Sequence, residues 1–157
     1  MAWANSKIFR QYLADVLDNT TAMDLTSDTI HAALYDNDIT PDNDVTAANS
    51  AYNVGQWAIS GNEVSDGAEW AAGGVALGTK VIDVGTADVV FFDAANTASG
   101  ASATLAAVFG CLVYDQSLAT PVDNQGICYN YFGGTQSVTD GTFTIIWHAN
   151  GVMRFTL

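Results

Sequence analysis

Positive charge is scarce in this chain. Lys7, Arg10, Lys80 and Arg154 are its only Lys and Arg residues. They stand against 17 Asp and Glu, fifteen of them Asp, for a formal net charge of −13. Binding phosphates requires clustered Lys or Arg that displace counterions, so the composition argues against direct nucleic-acid contact. The acidity fits solvated Asp-rich loops, solubility in a salty medium, a basic partner surface or cation binding. Long apolar runs are also missing. No segment approaches the roughly 20 uninterrupted apolar residues of a membrane span, so no membrane partner is expected. The first residues, Met1-Ala-Trp-Ala-Asn-Ser-Lys7, lack the basic start and apolar core of a secretory signal, which points to a product that stays where it is made. Only two cysteines, Cys111 and Cys128, and two prolines occur. Both cysteines lie in apolar segments that could be neighbours, and buried free thiols are favoured over a disulfide.

Apolar residues make up 49 % of the chain, with 14 glycines and many Thr and Val. That mixture suits a β-rich globular fold, and 157 residues suffice to bury a core without cross-links. The expected architecture is mainly β, a β-sandwich or jelly-roll-like single domain over residues 1–157 with an N-terminal α-helix. The helix is expected over about 5–18. There Ile8, Tyr12 and Val16 recur at helical spacing beside Phe9, Leu13 and Leu17, with Asn5 or Ser6 as cap. Strands are expected from about 29 to 157: residues 29–35, 75–77, 80–84, 88–92, 104–114 and 126–132, then a closing hairpin. Residues 46–57 are ambiguous between a short helix and irregular chain, and Ala94 to Ser102 reads as a flexible connection. The 104–114 run is apolar on both faces, which places it at a sheet centre or beneath a covering element.

The closing hairpin is the sharpest local signal. Phe143, Ile145 and Trp147 alternate with Thr142, Thr144 and Ile146, and Met153, Phe155 and Leu157 alternate with Val152, Arg154 and Thr156. Asn150-Gly151 between them is the dipeptide that best tolerates a type I′ turn. The chain is therefore expected to finish inside a sheet, with large apolar residues packed on its own core or on a neighbouring subunit.

Candidate chemistry is sparse. Asp36, Asp38, Asp42 and Asp44 crowd one loop and could attract calcium. A start at Asp36, however, puts Pro41 and Ala47 where an EF-hand needs Gly and Glu, so a solvated loop with Asx-turns is favoured. His31 and His148 have no partner at ligand spacing, which disfavours zinc. A nucleophile pair of Cys111 or Cys128 with His31 is disfavoured because no Lys or Arg stands near to stabilise a thiolate. Glu63, Asp66 and Glu69 imitate a glycosidase acid pair, as any acidic chain can by chance. Gly73-Gly74 and Gly133-Gly134 lack the Lys-Ser/Thr of a phosphate loop and read as turns. Trp3, Trp57, Trp70 and Trp147 could form a sugar-stacking platform, though core or interface packing is favoured. No residue is assigned a catalytic, cofactor-binding or metal-ligating role, and no cofactor is expected.

Three segments carry a resemblance. Leu25-Thr-Ser-Asp-Thr-Ile-His-Ala-Ala-Leu34, the stretch from Glu63-Val-Ser-Asp-Gly-Ala-Glu-Trp to Leu77, and Gly-Thr-Phe-Thr-Ile-Ile-Trp-His-Ala-Asn-Gly from Gly141 to Gly151 together resemble a family of small virion proteins from the head or structural modules of tailed bacteriophages. Trp70 stands where that family's pattern has Tyr, and the Ala94 to Ser102 connection is long. The resemblance implies a non-enzymatic, oligomeric virion component. It would be a capsid decoration or cement protein on the capsid exterior, assembled in the host cytoplasm, with the major capsid protein as partner. The matched motifs are strand and turn signatures and bring no catalytic residue. The alternative is a tail- or fibre-associated module that recognises a host glycan or another virion protein.

Overall fold

A computed structural model describes residues 3–84 and 88–157. Met1 and Ala2, at the head of the N-terminal stretch without signal features, lie outside them. The fold is mainly β, with antiparallel sheets and an N-terminal helix. In chain order the elements are β1 (Lys7–Ile8), α1 (Arg10–Leu17), β2 (Ile30–Tyr35), α2 (Ala47–Ser50), a 3-10 turn (Gly55–Trp57), a kinked helical turn (Ile59–Asn62), β3 (Glu63–Val64), β4 (Val75–Ala76), β5 (Val81–Asp83), β6 (Val89–Asp93), β7 (Thr97–Ala98), β8 (Ala103–Asp115), β9 (Gly126–Gly141), β10 (Thr144–Ile145) and β11 (Met153–Thr156). The main sheet has six strands in the order β1-β9-β8-β2-β3, with β4 also on β2. A three-stranded sheet runs β11-β6-β5, and β10 pairs with β7. Among the described residues no helix is long and apolar enough to cross a membrane.

The apolar 104–114 run lies where its composition requires, as β8 between β9 and β2. Its second half, Gly110 to Asp115, is buried throughout. Its first half alternates until Ala106 and Ala107 are exposed in succession, where Ala107 takes φ 55° and the pairing with β9 shifts. This is a β-bulge, which bends a long strand and resets its inward face. An aromatic cluster of Trp3, Phe9, Tyr35, Trp57 and Tyr129 packs at ring separations of 5.1–6.1 Å, edge-to-face except for the tilted pair Trp57–Tyr129. Trp3 is anchored by its indole N–H donating to the Asp36 carbonyl at 2.6 Å, and Tyr35 Oη donates to the Trp57 carbonyl at 2.7 Å.

Three expectations need correction. The helix begins at Arg10, because residues 7–8 pair with Tyr129 and Cys128 as a strand. Phe9 is its N-cap without a side-chain bond, and Ser6 instead accepts from the Tyr131 N–H. The helix buries Tyr12 and Asp15, with Gln125 donating to the Asp15 carboxylate, while Val16 and Leu17 face solvent. A single buried turn therefore replaces the expected long apolar stripe.

The closing segment is not a hairpin either. Its first half pairs with β7 and its second with β6. The turn runs from His148 to Gly151, with the Gly151 N–H donating to the His148 carbonyl at 2.7 Å. Gly151 takes φ 80°, and Asn150 does not take the positive φ of a type I′ turn. The first half pairs with the two residues of β7 and the second with four residues of β6, so local turn propensity lost to long-range pairing. Residues 94–102 also differ from a loose connection. They contain β7, bury Thr97, and are tied by the Ser99 N–H to the Phe143 carbonyl and the Gly100 N–H to the Glu69 carbonyl.

Candidate functional site

The acidic loop is built from backbone caps. Asp36 Oδ1 accepts the Asp38 N–H and Asp42 Oδ1 accepts the Asp44 N–H, each at 2.9 Å, and Asp44 pairs with Arg10 on the surface. These are Asx-turns. Among the described residues no three His, Cys, Asp or Glu side chains come together in a way that could hold a metal ion.

The cysteines are neighbours on the main sheet. Cys111 pairs across with Asn130 and Cys128 with Val113, so they sit diagonally on one face as buried free thiols. Burial pushes both thiol pKa values up, that of Cys128 to about 12, which removes thiolate character. His31 is elsewhere, with its Nδ1 donating to the Gly73 carbonyl at 3.0 Å, and His148 Nδ1 accepts the Asn150 N–H in the last turn. The two histidines and two thiols form no joint site.

The three acids at 63–69 part company. Asp66 accepts the Thr104 N–H and Glu69 the Ser102 N–H, so both fasten the start of β8. Glu63 joins a cluster that sequence reasoning missed. Its Oε1 accepts the Gly73 N–H at 2.6 Å and its Oε2 the Tyr52 hydroxyl at 2.8 Å. Tyr114 Oη donates to the Gly73 carbonyl at 2.8 Å, beside His31, and its ring stacks on Tyr52 at 4.8 Å. Burial raises the Glu63 pKa, although both hydrogen bonds oppose the shift. With both carboxylate oxygens occupied, this arrangement clamps the turn around Gly73 onto β2 and β8. Gly74, at φ 79°, approaches so closely that a Cβ there would lie 2.0 Å from the Ala32 carbonyl oxygen. The members, His31, Tyr52, Glu63, Gly73 and Tyr114, come from five separate segments, and nothing in their local spacing could have joined them.

Three of the four tryptophans, Trp3, Trp57 and Trp70, are fully buried. Trp147 is half-exposed and donates its indole N–H to Thr97 Oγ1 at 3.2 Å. It lines a cleft of about 480 Å³ with Tyr131, Phe132 and Gln136.

No protein-family model, curated protein or solved structure matches this chain. The surface itself is the remaining guide. Val81 and Ile82 of β5, Val84 just beyond it and Leu157 just beyond β11 are exposed by 41, 48, 73 and 85 %. Val81, Ile82 and Val84 follow the β5 edge of the three-stranded sheet and Leu157 ends its β11 edge; by register Ile82 shares a face with Phe92 and Met153, and Val81 points to the other face.

Proposed function

We propose that this chain is a structural virion protein of a tailed bacteriophage, a capsid decoration or cement protein. In this reading it acts on the capsid exterior through contacts with the major capsid protein and with its own copies, and has no enzymatic activity. The observation that carries the reading is the apolar three-stranded sheet. Exposed aliphatic side chains at Val81, Ile82, Val84 and Leu157 line both edges of that sheet, and contiguous apolar surface of this kind marks partner contacts. A specific interface usually buries roughly 1,200–2,000 Å² in total, and repetition around a shell multiplies modest contacts through avidity. The net charge of −13 suits a protein kept away from a packaged genome, since it repels phosphates. The motifs from Leu25 to Leu34 and from Gly141 to Gly151 add support through their resemblance to small virion proteins.

The test is cryo-electron microscopy of the virion whose genome encodes the chain, with copies counted and located. Many copies on shell symmetry axes are expected. A few copies confined to portal, neck or tail would overturn the reading in favour of a tail-associated module. In parallel, Ile82→Asp with Leu157→Asp is expected to abolish binding to undecorated shells while leaving the thermal transition of the free protein in place.

A further inference from the structure

The cleft of about 480 Å³ beside Trp147 takes no part in the shell-contact reading. Its lining comes chiefly from two stretches, Asn130 to Phe132 with nearby Gln136, and Phe143 to His148. Its volume lies within the roughly 300–1,000 Å³ of small-ligand sites.

Three aromatic side chains, Tyr131, Phe132 and Trp147, reach the cleft half-exposed, and each is fixed by a contact of its own. Trp147 donates its indole N–H to Thr97 Oγ1 at 3.2 Å and its main-chain N–H to Asn96 Oδ1 at 3.3 Å. Tyr131 stacks on Trp3 with ring centroids 6.4 Å apart, and Phe132 meets Phe143 at 6.3 Å. Rings set in place beforehand lose little freedom when a ligand arrives.

Polar groups with unused hydrogen-bonding capacity stand among these rings. Asn130 Nδ2 is engaged with Cys128 Sγ, but its Oδ1 has no partner among the described residues, and neither have Gln136 Oε1 and Tyr131 Oη. Ser6 Oγ accepts the Tyr131 N–H at 3.0 Å, which leaves its hydroxyl proton to donate. His148 Nδ1 accepts the Asn150 N–H at 3.1 Å, so the ring proton sits on Nε2 as a further donor.

The lining excludes several kinds of occupant. Among the described residues no Asp, Glu, Lys or Arg lines this cleft, in a chain with 17 Asp and Glu; Lys7 and Arg154 line only a neighbouring one. A charged ligand would find no counter-charge, and an anion would also meet the net charge of −13. Main-chain donors that an added peptide strand would need are taken. The N–H groups of Tyr131, Phe143, Trp147 and Gly151 go to Ser6 Oγ, Ser99 Oγ, Asn96 Oδ1 and the His148 carbonyl. A wholly apolar ligand would strip water from the amides, hydroxyls and imidazole and give nothing back. A ligand that combines uncharged hydroxyls with apolar C–H faces satisfies both parts of the lining.

We propose that this cleft binds a short uncharged oligosaccharide. One sugar ring lays its C–H face on Trp147, and its hydroxyls bond the side chains of Asn130, Gln136 and His148. Trp147 alone among the four tryptophans is open to this role, since the other three are fully buried. The site does not depend on the capsid reading. Ile82→Asp, on the β5 edge, should leave saccharide binding unchanged, so either proposal can fail without the other.

Isotope-labelled protein would be titrated with millimolar trisaccharides of glucose, mannose, galactose and N-acetylglucosamine, with sialyllactose and a sulfated disaccharide as charged controls. Expected is saturable binding of at least one neutral sugar, with amide shifts confined to residues 130–136 and 143–151 and none from the charged controls. Trp147→Ala should weaken binding by about tenfold or more, and Trp147→Phe should recover part of the loss. Gln136→Ala, at an exposed position, should cost about threefold. Amide spectra of the free variants show that the fold is kept. No shift with any neutral sugar, shifts outside the cleft, or unchanged affinity in Trp147→Ala would overturn the proposal. Preference for the charged sugars would overturn it in favour of the neighbouring cleft at Lys7 and Arg154.

Discussion

Asp115 shows how a single residue can set a pH dependence. Its side chain is buried. Oδ1 accepts from the Ser117 N–H and hydroxyl and the Leu118 N–H, while Oδ2 has no partner. Burial, with the Asp28 carboxyl alongside, raises its pKa above the ordinary carboxylate value. The folded protein therefore holds this proton more tightly than the unfolded chain does. The associated stability is full below the unfolded pKa and is lost as pH rises through the folded one. Asp115→Asn keeps the Oδ1 bonds and places a donor where Oδ2 faces Asp28. It should stabilise the protein at pH 7 by about 1 kcal/mol or more, with the gain shrinking toward pH 4 in urea titrations. Asp24 acts in the opposite sense. Thr26 and Ser27 donate to its carboxylate and hold its pKa down to about 2, so its contribution is kept at neutral pH and lost only as pH falls toward that value. Gly110 is a packing constraint of a different kind. A Cβ there would lie 2.5 Å from the Trp3 ring and 2.4 Å from the Asn130 carbonyl oxygen. Gly110→Ala should therefore cost about 1–3 kcal/mol, seen as a lower urea midpoint.

At the scale of elements, the last turn separates two explanations of the Asn-Gly signal. Were it a type I′ hairpin, Asn150 would need positive φ; here only Gly151 does, and its Cβ position lies 2.3 Å from the Phe92 carbonyl oxygen. Asn150→Ala should therefore change stability by no more than about 0.5 kcal/mol. Gly151→Ala should cost at least about 1–2 kcal/mol for the left-handed backbone alone. Comparing the two thermal melts checks the assignment. The short strands near this turn, β7 and β10, have two residues each. They are held by side-chain contacts such as Trp147 with Thr97, more than by ladder length.

For the whole molecule, charge and shape pull apart. A net charge of −13 with one surface ion pair among the described residues, Arg10 with Asp44, leaves repulsion largely unbalanced. Raising NaCl from about 10 mM to about 500 mM shortens the Debye length from ~30 Å to a few ångströms. The melting temperature should rise across that range, as scanning calorimetry would show; a fall would mean that attractive pairs dominate. Against that charge, Val81, Ile82, Val84 and Leu157 leave exposed aliphatic side chains along the two edges of the three-stranded sheet.

Alternating and continuous apolar runs determined β2, β8 and the start of β9, because burial on one face or both leaves its mark on every residue of a strand. The same reasoning fixed the mainly β class, the buried free thiols and the Asx-turn character of the loop from Asp36 to Asp44. Tertiary structure alone decided what long-range pairing controls. It turned residues 7–8 into an edge strand and so shortened the helix, because β9 offered Lys7 and Ile8 a ladder. It split the final segment between β7 and β6, and it gathered Tyr52, Glu63, Gly73, Tyr114 and His31 from distant positions. Sequence records which side chains prefer burial, but which strands become neighbours depends on contacts between residues as far as 125 positions apart, and no local pattern encodes those.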